Sequence, residues 1–147
     1  MDLIVDANIL FAALIKESKT SDLLFREELH LFTPEFIFIE FAKYKGLLLE
    51  KTHRSKDDFQ NLLELFERQI TVYPLSEIKP YLIKASNISP DPKDVPYCAL
   101  ALLLNASIWS NDKMLKQQSI IKIFSTEDLI NHFNIQVSSK KARKNLF

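Results

Sequence analysis

Glycine is nearly missing from this chain: among 147 residues, Gly46 is the only one. Loops that press backbone amides against a phosphate need several glycines in close order, so a P-loop and a dinucleotide fingerprint are both excluded. Cysteine is equally scarce. Cys98 stands alone, which excludes an intrachain disulfide and a Cys-rich zinc site. His30, His53 and His132 are too few and too scattered for a histidine-based metal site. An excess of one charge is also lacking, since Lys plus Arg and Asp plus Glu number 19 each. That excludes a whole-molecule electrostatic grip on nucleic acid, though not nucleic acid as a substrate where local cations offset its charge. The longest clean apolar run, Tyr97 to Leu104, falls far short of the ~20 residues a membrane span requires. Asp2, Asp6 and Asn8 interrupt the apolar start and no basic stretch precedes it, so no targeting segment is read there. The expectation is a soluble, cytoplasmic protein with no membrane partner.

What is present is ordinary globular material, 47% hydrophobic and 26% charged. The length suits one domain, read as residues 1–135. A basic tail over 136–147 follows, carrying Lys140, Lys141, Arg143 and Lys144. The tail reads either as a solvated terminus or as an arm for a phosphate or a partner.

Apolar segments alternate in type along the chain. Strands are predicted at Asp2–Val5, His30–Thr33, Ile70–Tyr73, Ser107–Ser110 and Ile121–Phe124. Helices are predicted at Ala7–Ile15, Ser21–Leu29, Pro34 to about Glu50, Lys56–Gln69, Ser76–Ala85, Pro92–Asn105, Asp112–Gln118 and Thr126–Phe133. Phe59, Leu62, Leu63 and Phe66 give the fourth of these one apolar face. Pro34 and Pro80 are read as first-turn prolines of their helices. Five short strands alternating with helices imply βαβ crossovers and a mainly parallel sheet covered on both faces. Such sheets bind ligands beyond the carboxyl ends of their strands.

The chemistry is therefore sought where polar residues follow strands. Asp6 comes directly after Leu3-Ile4-Val5, and Asp112 follows Ile108-Trp109-Ser110-Asn111 in the same way. Asp94 opens the Tyr97–Leu104 helix, and Glu40 lies in the almost wholly apolar stretch Phe36 to Ala42. Each has a plain alternative. Asp6 and Asp112 could be helix caps, Asp91 and Asp94 suit a helix N-terminus with Pro92 at its first position, and Glu40 could pair with Lys43. Carboxylates brought together repel and raise one another's pKa, and a divalent cation removes that penalty. Oxygen donors without Cys or His select Mg2+ or Mn2+ over zinc. Ions of that kind activate water and offset charge on phosphorus, so phosphodiester hydrolysis is the natural assignment. Lys113, just after Asp112, is a candidate phosphate contact, with an exposed helical face as its alternative. Cys98 and Trp109 are read as core.

Val5-Asp6-Ala7-Asn8-Ile9-Leu10, Glu40 in a mid-chain helix, Asp91-Pro92-Lys93-Asp94 leading into Ala99-Leu100-Ala101, and Ser110-Asn111-Asp112-Lys113 together resemble the PIN domain family, in order over about residues 2–133. The resemblance implies a three-layer α/β/α sandwich with a parallel five-stranded sheet in 3-2-1-4-5 order. It implies that Asp6, Glu40, Asp94 and Asp112 form an acidic quartet holding one or two Mg2+ or Mn2+ ions. Asn8 matches a polar position beside the first acid, Ser110 the Ser or Thr before the fourth, and Asp91 is read as a cap or a support behind the ligands. By the same resemblance the substrate is RNA. Single-domain prokaryotic relatives are often VapC-type toxins, commonly dimeric and paired with an antitoxin protein. Asn111 stands where many relatives carry Gly or Arg. Two rivals remain. One is a non-catalytic PIN-like binding module; the other is a receiver-like signalling module, disfavoured because Pro74 rather than an Asp follows Ile70–Tyr73.

Overall fold

The computed structural model describes residues 1–134 of the chain; the basic tail lies outside the described residues. The elements run β1 (Asp2–Val5), α1 (Ala7–Ile15), α2 (Lys19–Leu24), β2 (His30–Pro34), α3 (Phe36–Lys51), α4 (Lys56–Gln69) and β3 (Ile70–Tyr73). Then come α5 (Leu75–Ile78), α6 (Leu82–Ile88), α7 (Val95–Leu104), β4 (Ser107–Trp109) and β5 (Ile123–Phe124). A last helix, α8, is described over residues 126–134. The five strands form one sheet in the order β3-β2-β1-β4-β5, parallel at every pairing. This is the expected order and architecture. Ile4 pairs with Phe32 on one side and Ile108 on the other, which fixes β1 at the centre.

Burial explains the sequence of the central strands. Leu3, Ile4, Val5, Ile108 and Trp109 have no exposed surface, because both faces of the sheet are covered and no polar alternation is needed. Helices α1, α3 and α4 pack together in one layer, while α7 lies against β1 and β2 with α5 and α6 beside it. Right-handed crossovers dictate this division, since the chain moves one way from β1 to β3 and the other way from β3 to β4. Helix α7 is apolar almost all round, and Tyr97 through Ala101 are all buried. It ends at Asn105, whose φ of 50° is left-handed, a role in which Asn substitutes for the absent glycine. The last carbonyls of α1 are satisfied from across the chain. Thr52 Oγ1 donates to Leu14 O at 2.9 Å, and the His53 amide donates to Ile15 O at 2.9 Å.

Several elements differ from the sequence expectation: the helix expected over Pro92–Asn105 opens as a 3-10 turn at Pro92–Asp94, and the last two strands are shorter, Ser107–Trp109 and Ile123–Phe124. Pro34 closes β2 opposite Tyr73 instead of opening a helix, which a proline can do at a strand end where its missing donor costs nothing. The second helix begins earlier and ends at Leu24, because Ser18 supplies a capping box with Ser21. The helix expected over Ser76–Ala85 is broken into α5, a 3-10 turn at Lys79–Tyr81 and α6, with Pro80 inside the turn. Its ring clashes with an α-helical preceding turn, and 3-10 geometry relieves that. The helix expected over Asp112–Gln118 shrinks to a 3-10 turn at Leu115–Gln117. Among the described residues, no helix is long and apolar enough to cross a membrane.

Candidate active site

Strands β1 and β4 are neighbours and parallel, so the residues after them emerge at the same edge of the sheet. The Asp6 amide donates to Trp109 O at 3.1 Å, which ties the two strand ends together. Asp6 sits at the first position before α1 but makes no side-chain cap. Its Oδ2 instead accepts from Ser110 Oγ at 2.7 Å, and the Asp112 amide donates to the same Ser110 oxygen at 3.1 Å. One buried hydroxyl thus links the first and fourth acids. Asp112 Oδ1 also accepts from the Met114 amide at 2.9 Å, so its turn-forming alternative is part of its role.

Asp94 reaches the same place from the other layer. It ends a 3-10 turn begun by Pro92, whose cap is Asp91 Oδ1 accepting from the Lys93 amide at 3.0 Å. Asp91 therefore does the capping, and Asp94 is left free of it. Asp94 is buried, and its Oδ2 has no hydrogen-bond partner. Burial, then the charges of Asp6, Asp112, Asp91 and Glu40, push its carboxyl up to about 7. Burial also raises the Asp6 carboxyl, with the Ser110 hydroxyl opposing. Glu40 projects from α3, half-buried. Burial raises its carboxyl, while a hydrogen bond from Tyr97 Oη to Glu40 Oε1 at 3.1 Å works the other way. Tyr97, not Lys43, is its hydrogen-bonding partner.

All four acids, with Asn8 and Asp91, line one cleft of about 380 Å3. Tyr44, Lys51 and Lys93 line it as well, while Lys113 is exposed in the turn after Asp112. Among the described residues, no group of three His, Cys, Asp or Glu side chains is already arranged to hold a metal ion. The chemistry of the donors still suits one: hard oxygens only, mutual repulsion, and a buried carboxylate oxygen lacking any donor.

The sequence pattern of the PIN domain matches residues 4–136. This chain belongs to the PIN domain family. The sheet order agrees, and with β1 central it leaves no place for the receiver-like reading. The PIN fold here is similar to a chain of VapBC2 from Rickettsia felis, solved bound to a DNA fragment from their promoter. The TM-score is 0.63 at 13% identity, over 85% of this chain and 98% of that one. No curated protein matches the sequence.

Tyr97 was missed by sequence reasoning although a signal for it exists. A tyrosine within an apolar helical run carries a hydroxyl that must find a partner when buried, and a glutamate in another apolar helix is a natural one. Lys51 and Tyr44 were missed because nothing in their local sequence announces the cleft.

Proposed function

We propose that this PIN domain is a Mg2+- or Mn2+-dependent endoribonuclease that hydrolyses RNA phosphodiester bonds in the cytoplasm. In this reading it is the toxin of a VapBC-type pair, with an antitoxin protein and a second copy of the chain as partners. The observation that carries the reading is Asp94 Oδ2, a buried carboxylate oxygen without a donor, in a cleft shared with four more carboxylates. A buried charge in that position is costly unless a cation meets it. Asp6, Asp94 and Asp112 would hold the ion, with Glu40 bound directly or through water. When bound, the ion supplies an activated water and offsets charge on the phosphorus and the leaving oxygen.

The chain's own residues do the arranging. Ser110 orients Asp6 by donating to Oδ2, and that hydrogen bond works against the burial that raises its carboxyl. Tyr97 engages Oε1 of Glu40, so the glutamate is held at a fixed reach from α3 to orient the attacking water. Asp91 keeps the Pro92 turn in shape, which presents Asp94 to the cleft. Family membership and the VapBC2 neighbour support the toxin reading.

The test is a Mn2+ titration of metal-stripped protein, wild type against Asp94→Asn, with circular dichroism as the check on folding. The expected result is saturable binding in the wild type and its loss in a normally folded variant. Absence of binding in the wild type overturns the metal centre. For cleavage, Asp6→Asn and Asp94→Asn are each expected to abolish Mn2+-dependent cutting of RNA. Activity surviving in both would sink the mechanism.

A further inference from the structure

The cleft has a second half that the acids do not use. Along α3, Glu40, Tyr44, Leu47 and Lys51 follow one another at steps of four, three and four, so they share one face of the helix. All four line the cleft. The face runs ~16 Å from Glu40 to Lys51 at 1.5 Å per residue. Opposite it, Phe11 and Ile15 of α1 line the same space. Tyr44 meets Phe11 edge-on with ring centroids 5.9 Å apart. Leu47 is left 47% exposed, an apolar surface within the cleft and not in the core. The strip starts at the acidic cluster, continues over an aromatic and an aliphatic side chain, and ends at a cation.

We infer that the Tyr44–Leu47–Lys51 strip is a subsite for single-stranded RNA, in which an unpaired base lies against Tyr44 and Leu47 and a neighbouring phosphate meets Lys51. The inference rests on the nuclease reading above and names the side chains beside the acids that would hold its substrate. Three observations favour a single strand as the occupant. The strip is continuous with the acids, so a strand cut there must pass over it. Lys43 Nζ lies 5.4 Å over the Tyr44 ring, while Lys51 and Lys93 line the cleft and, among the described residues, neither is held in a salt bridge. They are placed to offset phosphates that the carboxylates alone would repel. The strip exceeds the ~3.4 Å per nucleotide of a stacked strand, so it extends beyond the scissile position. A duplex fits neither requirement, because its bases are already stacked and paired and show only their edges.

The test uses full-length protein and a fluorescein-labelled random 12-nucleotide RNA pool, single-stranded or annealed into duplex. Ca2+ replaces Mn2+ so that the strand is held without being cut, and parallel titrations are run without metal. The variants are Tyr44→Ala, Tyr44→Phe and Lys51→Ala; Lys51 is exposed, so its removal leaves folding intact. Tyr44→Ala is expected to weaken single-strand binding about tenfold, as loss of one base–aromatic contact does, with Tyr44→Phe restoring it. Lys51→Ala is expected to weaken binding and to lower the salt slope by about one. Mn2+ affinity is expected to stay at the wild-type value in all three, and duplex binding to be indifferent to them. Single-strand binding unchanged in both Tyr44→Ala and Lys51→Ala overturns the inference, and the strip is then a surface for protein. Wild-type protein that binds Mn2+ but no RNA overturns it too, with the metal centre left standing. Loss of the Mn2+ signal alone strikes the nuclease reading, while the metal-free titrations still judge the strip.

Discussion

Ser110 has almost no exposed surface, yet it serves two acids with one hydroxyl. Removing it takes the hydroxyl donor from Asp6 and frees the Asp112 amide. Ser110→Ala is expected to lower Mn2+ affinity about 10–100-fold, the usual cost of losing a group that orients a metal-binding residue, with the far-ultraviolet spectrum unchanged. Asp94 carries a pH signature in the metal-free protein. Its carboxyl stands near 7 in the fold against an ordinary value of 3.8, so between those values the native state holds the proton that the unfolded chain has released. Stability then falls as pH rises through that window and levels off above it. Thermal melts in EDTA should show a higher midpoint near pH 5 than near pH 8, with a smaller difference in Asp94→Asn. Asp6 and Glu40 shift in the same direction and leave some dependence in the variant.

At the scale of elements, the glycine-poor chain puts its one glycine where no glycine is required. Gly46 lies inside α3, and a Cβ built there meets nothing within 4 Å. Gly46→Ala should therefore stabilise the protein by about 0.5–1 kcal/mol, read as a higher urea midpoint with an unchanged slope. Where a left-handed residue is needed, after α7, Asn105 takes the position instead. Elements defined by unbroken hydrophobic patterns, such as β1, α1 and α4, were legible in the sequence to the residue. Those punctuated by proline were not. Pro34 and Pro80 satisfy several geometries equally well, and only tertiary pairing with Tyr73 or packing on α7 chooses among them. Asp6 and Asp112 were legible because strand ends announce them, whereas Glu40 stood out as a charge in an apolar helix and Asp94 as an acid opening one. The Tyr97–Glu40 contact spans 57 residues and two layers, and no local pattern encodes a distance of that kind.

On the scale of the whole molecule, the site lies where two opposed sets of crossovers begin, one moving from β1 towards β3 and the other returning to β4. Ligand binding there should stabilise the entire fold, since every element that reaches the cleft is anchored in the sheet. Adding Mn2+ at about 100 times its Kd is expected to raise wild-type stability by about 2.7 kcal/mol and the melting temperature accordingly. Asp94→Asn should show no such rise. Equal shifts in both proteins would mean that the ion binds elsewhere.

The hydrogen bond between Ser110 and Asp6 joins residues 104 apart in the chain. A nascent chain that has emerged only as far as Lys93 carries two of the four acids and none of the strand that brings Ser110 to Asp6. The cluster is therefore an end-product of synthesis, assembled only after β4 has docked beside β1. On the nuclease reading proposed above, a chain still held by the ribosome carries no assembled site, and the docking of β4 is the earliest point at which a restraining partner would have anything to act on.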